Sequence, residues 1–179
     1  MAQTTFQGPV RSLGGFFMQG PNTVVSISAS TTLTPQEHGG RILAIGGSLA
    51  ATTTLTLPTI NTDADPASSG PGADPNNPNN LGVVYTFWIP TTISTSTLKI
   101  ATDGTDKFVG SVISVDTDSS GATVGFTAAS SNDNINLNGT TTGGVAGTYI
   151  QVVAVAANKY MVTGVVNGSG TVATPFADS

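Results

Sequence analysis

No cysteine occurs in the 179-residue sequence, and Asp, Glu, Lys and Arg together make up only 8% of it, against about 25% in an ordinary soluble protein. The first absence excludes a disulfide framework, a thiol nucleophile and a thiolate metal site. The second argues against helix. Water-facing helical surfaces need charged and other strong helix-forming residues, and too few are present to clothe even two helices. What remains is an all-β chain or a partly disordered one. A hydrophobic content of 38% and a mean hydropathy of +0.15 argue against disorder throughout.

Positive charge is scarcest of all. Arg11, Arg41, Lys99, Lys107 and Lys159 stand singly in a chain of net charge -5, so no basic stripe exists to neutralise phosphates and no nucleic-acid partner is expected. Long apolar runs are missing too, which predicts no membrane partner. The first twenty residues lack the basic start, apolar centre and cleavage site of a signal peptide, so the chain reads as a soluble protein made without a conventional export signal.

What is present is Gly, Thr, Ser and Asn in short β-type runs. Residues 1–22 carry Gly8, Gly14, Gly15 and Gly20 with Pro9 and Pro21, which interrupt any regular element and predict an extended arm. At ~3.3 Å per residue such an arm reaches tens of ångströms. Phe6, Val10, Leu13, Phe16, Phe17 and Met18 make it too apolar for a solvated tail. With Arg11 they are the candidate contact residues.

Residues 23–167 read as a single β domain. Strands are predicted over 23–34, where Val25, Ile27 and Ala29 alternate with serines, and over 41–45, 52–58, 81–89, 97–102, 107–115, 122–128, 134–138, 147–156 and 159–166. Asp103-Gly104 predicts a tight hairpin, and Asn138-Gly139, Ala157-Asn158 and Asn167-Gly168 predict further turns. The run 81–89 is the most apolar and suits a central strand, with Phe87 and Trp88 on opposite faces. Some ten strands at this spacing predict an antiparallel β-sandwich or barrel-like domain. Residues 61–80 contain no large apolar side chain and form a long loop, either functional or a tolerated insertion. Residues 168–179 read as a loose tail, with Phe176 its one docking residue.

Reactive chemistry is hard to assemble from this inventory. His38 is the single histidine and Glu37 the single glutamate, and a lone histidine in a turn is more often exposed than catalytic. Aspartates fall in close pairs, Asp63 with Asp65, Asp103 with Asp106 and Asp116 with Asp118. The run from Asp116 to Gly121 matches the opening of a calcium loop, but Thr127 stands where the bidentate glutamate belongs, and a turn explains the same residues. Gly46-Gly47 and Gly143-Gly144 lack the lysine and helix of a phosphate loop. The sequence therefore predicts no enzyme, no metal site and no cofactor.

Several spaced words remain: Thr32-Leu33-Thr34, Gly39-Gly40-Arg41-Ile42, the run Thr54 to Pro58, the run Leu81 to Phe87, Lys99-Ile100, Asp106 to Gly110, Gly147 to Ile150 and the closing glycine-rich stretch to Gly170. Together, over residues 24–175, they resemble the capsid decoration, or cement, proteins of tailed bacteriophages. Loop 61–80 is longer than that pattern. The resemblance implies an all-β subunit, a homotrimer, made in the host cytoplasm and bound to the outer capsid surface of the virion, where it stabilises junctions between major capsid proteins. The alternative is a phage tail-fibre or receptor-binding tip, which shares the trimeric β body.

Overall fold

The computed structural model describes residues 20, 22–49, 51–62, 79–118 and 121–179. The candidate arm contacts Phe6, Val10, Arg11, Leu13, Phe16, Phe17 and Met18 lie outside the described residues, as do Asp63, Asp65 and most of loop 61–80. Among the described residues there are twelve strands and one short helix: β1 (Val24–Ser26), β2 (Thr31–Thr32), α1 (Pro35–His38), β3 (Ile42–Ala44), β4 (Thr53–Thr56), β5 (Val84–Trp88), β6 (Leu98–Ala101), β7 (Lys107–Asp116), β8 (Thr123–Thr127), β9 (Asn134–Leu137), β10 (Tyr149–Ala156), β11 (Lys159–Gly168) and β12 (Phe176–Ala177). They form a seven-stranded sheet, ordered β1-β3-β5-β10-β11-β7-β8, and a five-stranded sheet, ordered β12-β9-β6-β4-β2.

The chain is all-β, as the scarcity of charge requires. Leu43, Phe87, Phe108, Ile150 and Val162 from the larger sheet meet Leu55, Leu98, Ile100, Ile135 and Leu137 from the smaller in one buried cluster. Each such side chain contributes roughly 1.5–3 kcal/mol by leaving water.

Strand direction departs from the antiparallel expectation. From β1 to β6 the chain changes sheet after every strand, so each return to a sheet runs in the same direction as the last visit. β1, β3 and β5 are therefore parallel neighbours, and β2, β4 and β6 repeat the pattern in the facing sheet. Antiparallel pairing joins β5 to β10, β10 to β11, β7 to β8, β6 to β9 and β9 to β12, while β7 and β11 are parallel. Both sheets are mixed.

Several local expectations change with this topology. The run 23–34 is two strands, because the chain leaves the larger sheet after Ser26 and joins the smaller at Thr31. Asp103-Gly104 closes no hairpin, since β6 and β7 belong to different sheets. Gly104 does take the positive φ expected, +87°, and the Asp103 carboxylate satisfies the turn by accepting the N–H groups of Thr105 and Asp106, both at 2.9 Å. Asn167 and Gly168 are the last residues of β11, in register with Val115 and Asp116, and form no turn. Ala157-Asn158 does turn the β10–β11 hairpin. The C-terminal segment is tied down along its length: Ala173 donates its N–H to Thr141 O, Phe176 is buried against the smaller sheet, and Ser179 donates from N and Oγ to the Asp133 carboxylate.

Candidate functional site

Among the described residues, His38 and the aspartate pairs serve the fold. His38, expected in an exposed turn, is buried at the end of α1. Its Nδ1 accepts the Thr34 N–H at 3.0 Å, while Thr34 Oγ1 accepts the Glu37 N–H at 3.2 Å. The imidazole thus closes a four-residue capping turn. Asp116 accepts from the Asp118 N–H, and Asp118 Oδ2 accepts from the Gly170 N–H at 2.6 Å, so this pair holds the β7–β8 turn to the end of β11. Among the described residues no three His, Asp or Glu side chains come together in a metal-binding group.

Asp103 and Asp106 have the electrostatics of an acid/base couple, two carboxyls whose pKa values are driven apart. Burial pushes Asp103 up, but hydrogen bonds from the Asp106 N–H, the Thr59 hydroxyl and the Thr105 N–H outweigh it and hold the carboxyl below its ordinary value. Asp106 moves up: burial, reinforced by the Asp103 charge, exceeds the effect of its Ile60 N–H bond. Both carboxylates are committed to residues 59–60, through Thr59 Oγ1 at 2.8 Å and Ile60 N at 2.9 Å. Asp106 is only 1% exposed, out of reach of a substrate. The Tyr160 hydroxyl adds a 2.6 Å bond to Pro58 O. Asn80 Oδ1 accepts the Asn61 N–H and the Asn80 N–H donates to Asn61 O, which brings the two feet of loop 61–80 together. The couple is an anchor for that loop.

Among the described residues, the outer face of the seven-stranded sheet is a broad surface open to a partner. Strand register sets its residues in three rows. Ala44, Trp88, Tyr149, Val165 and Ile113 form the first. Ile42, Thr86, Gln151, Thr163, Ser111 and Thr127 form the second, with Val24 at its edge. Val84, Val153, Met161 and Val109 form the third. Trp88 is 39% exposed, Tyr149 40% and Ile113 50%, and Ile42, Trp88 and Tyr149 line a shallow depression of about 310 Å³. The three rows contain no charged residue. The second is bonded within itself, Ser111 Oγ to Thr127 Oγ1 at 2.9 Å and Gln151 Nε2 to Thr86 Oγ1 at 3.4 Å.

Trp88 does lie opposite Phe87, as the strand alternation predicts, with Phe87 buried and Trp88 exposed. The face as a whole was not legible from the sequence. The available signal was in β10, where Tyr149, Val153 and Val155 alternate with Ile150, Val152 and Ala154. A strand apolar on both sides reads as covered on both. Compared with family models, with curated proteins and with solved structures, the chain matches none.

Proposed function

We propose that the protein is a structural component of a phage particle, a capsid decoration protein that binds the outer surface of the head and stabilises junctions between major capsid proteins. The observation that carries this reading is the uncharged, apolar and hydroxyl-rich sheet face above a buried core, in a molecule whose described aspartate pairs are spent on its own turns. Such a body makes contacts and performs no chemistry. The N-terminal segment is the anchor to the shell: its backbone adds to a sheet edge of the major capsid protein while Phe6, Phe16 and Phe17 fill pockets, and several arms in one assembly reinforce each other.

Copy number in purified particles tests this reading. Hundreds of copies are expected, and a few tens or fewer would assign the protein to the tail. Occupancy is also expected to change little between low and high salt, because contacts without charge are not screened; a steep loss at high salt would count against the proposal. Deleting residues 2–20 should strip the protein from purified capsids while leaving the melting temperature of the β body unchanged. Retention at full occupancy would rule out the arm as anchor.

Exposed Trp88 beside Tyr149 favours a second reading, a receptor-binding tip, because sugar sites present aromatic faces. Binding on a glycan array that is lost in Trp88→Ala would select it over the first.

A further inference from the structure

We infer that the outer face of the seven-stranded sheet is an interface between two copies of this chain, related by a two-fold axis. An apolar row containing Trp88, Tyr149, Val165 and Ile113 lies on one side of a hydroxyl and amide row, and an apolar row of Val84, Val153, Met161 and Val109 lies on the other. The stripes are therefore symmetric about the row of Thr86, Gln151, Thr163 and Ser111. A two-fold axis in the contact plane along that row lays the first row of each copy on the third row of the other, and the middle row on itself. Apolar meets apolar and hydroxyl meets hydroxyl, the self-complementarity that an isologous contact requires.

Charge and area agree. Two copies of net charge -5 meet most easily where neither carries charge, and the lysines nearest this face lie beyond its third row. Of these, Lys107 is turned to Asp133, 2.8 Å away. Four polar side chains of the middle row bond in pairs within a copy, Ser111 with Thr127 and Gln151 with Thr86, which lowers the cost of covering them. The sixteen positions of the three rows, ~4.8 Å apart between strands and ~6.6 Å apart along them, cover roughly 500 Å² per copy. The pair thus reaches ~1,000 Å², the threshold for a specific interface. Two stacked sheets ~10 Å apart are an ordinary packing arrangement. Pairing takes up the face on which the shell reading rests and leaves the N-terminal segment as the contact with the capsid, and a dimer takes the place of the trimer implied by resemblance.

Gln151 is the central residue of the middle row, on β10, the fourth of seven strands. The axis sets it against its own counterpart, so one substitution introduces two facing charges. Sedimentation equilibrium of the full-length protein over a dilution series should show a dimer. Gln151→Glu should weaken it roughly a hundredfold, within the range for a central interface residue, and acidification below ~pH 4 should restore pairing by neutralising the new carboxyls. Gln151→Leu should leave the dimer intact, and unchanged circular dichroism of both variants shows that they fold. A wild-type monomer or trimer overturns the inference, as does a dimer indifferent to Gln151→Glu. A monomer whose face becomes exchange-accessible on deleting residues 2–19 assigns the face to the chain's own N-terminal segment. A monomer unchanged by that deletion assigns it to a foreign partner.

Discussion

Gly139→Ala is expected to lower the melting temperature by about 10 °C or more, although it adds a single methyl group. Gly139 has φ +77°, a conformation that disfavours a side chain by roughly 1 kcal/mol. An added Cβ would also lie 1.9 Å from the carbonyl oxygen of Ile93. That carbonyl belongs to backbone held on both sides. Ile93 donates its N–H to Gly144 O at 2.9 Å, Gly139 donates to Gly143 O at 2.7 Å, and Asn138 Oδ1 accepts the N–H groups of Thr140 and Thr142. Neither loop can retreat without breaking such bonds, which adds some 2–3 kcal/mol. At ~2–4 °C per kcal/mol for a domain of this size, the two effects together produce a shift of that size. Gly104→Ala is the control: its φ is +87° but nothing lies within 4 Å of the added Cβ, so only the conformational cost applies, ~2–4 °C. Equal shifts for the two would mean that the 138–144 loop does not press on the segment around Ile93.

Asp133→Ala should destabilise the domain by about 2–3 kcal/mol and release its C-terminus. The buried carboxylate accepts from Lys107 Nζ at 2.8 Å, Asn134 Nδ2 at 2.6 Å, and Ser179 N and Oγ at 2.9 Å each. It joins the start of β7, β9 and the chain end. Truncating one member of a buried pair leaves the others unmatched, and the loss falls below that of a fully buried pair because the Lys107 side chain is 30% exposed and water can screen it. Faster carboxypeptidase trimming of the variant, together with a lower denaturation midpoint, checks it; trimming at the wild-type rate would place the tail's anchor elsewhere, in Phe176.

The same residue shapes the acid limb of stability. Burial raises the Asp133 pKa, but hydrogen bonds from Lys107 and Ser179 and the Lys107 charge outweigh it, so the folded value lies below the ordinary one. A depressed carboxyl contributes stability that is present above its unfolded pKa and lost as pH falls through the folded one. Asp103 acts in the same sense. Asp106, raised by burial, acts in the opposite sense and is relieved by protonation as pH falls toward its unfolded value. Asp133→Asn should therefore flatten the loss of stability below ~pH 4. An acid limb identical to wild type would remove Asp133 from its causes.

Composition and local pattern determined the fold class, because a surface with so little charge cannot clothe helices and because alternation of apolar with hydroxyl residues is legible within a single strand. They located nearly every strand, the Ala157-Asn158 turn and the opposed faces of Phe87 and Trp88. Tertiary structure alone decided which sheet each strand joins. A run such as 23–34 has one alternation throughout, yet it divides between two sheets, and Asp-Gly at 103–104 turns the chain equally well toward a neighbouring strand or a facing sheet. It also decided the use of the scarce titratable groups: His38 as a cap, Asp103 and Asp106 as the anchor of a loop, Asp133 as the clasp of the C-terminus. Those partners lie up to 46 residues apart in the chain, beyond any local pattern. The striped outer face arises in the same way. Each stripe takes one residue from each of several strands, and only the register between strands brings Trp88, Tyr149, Val165 and Ile113 into line.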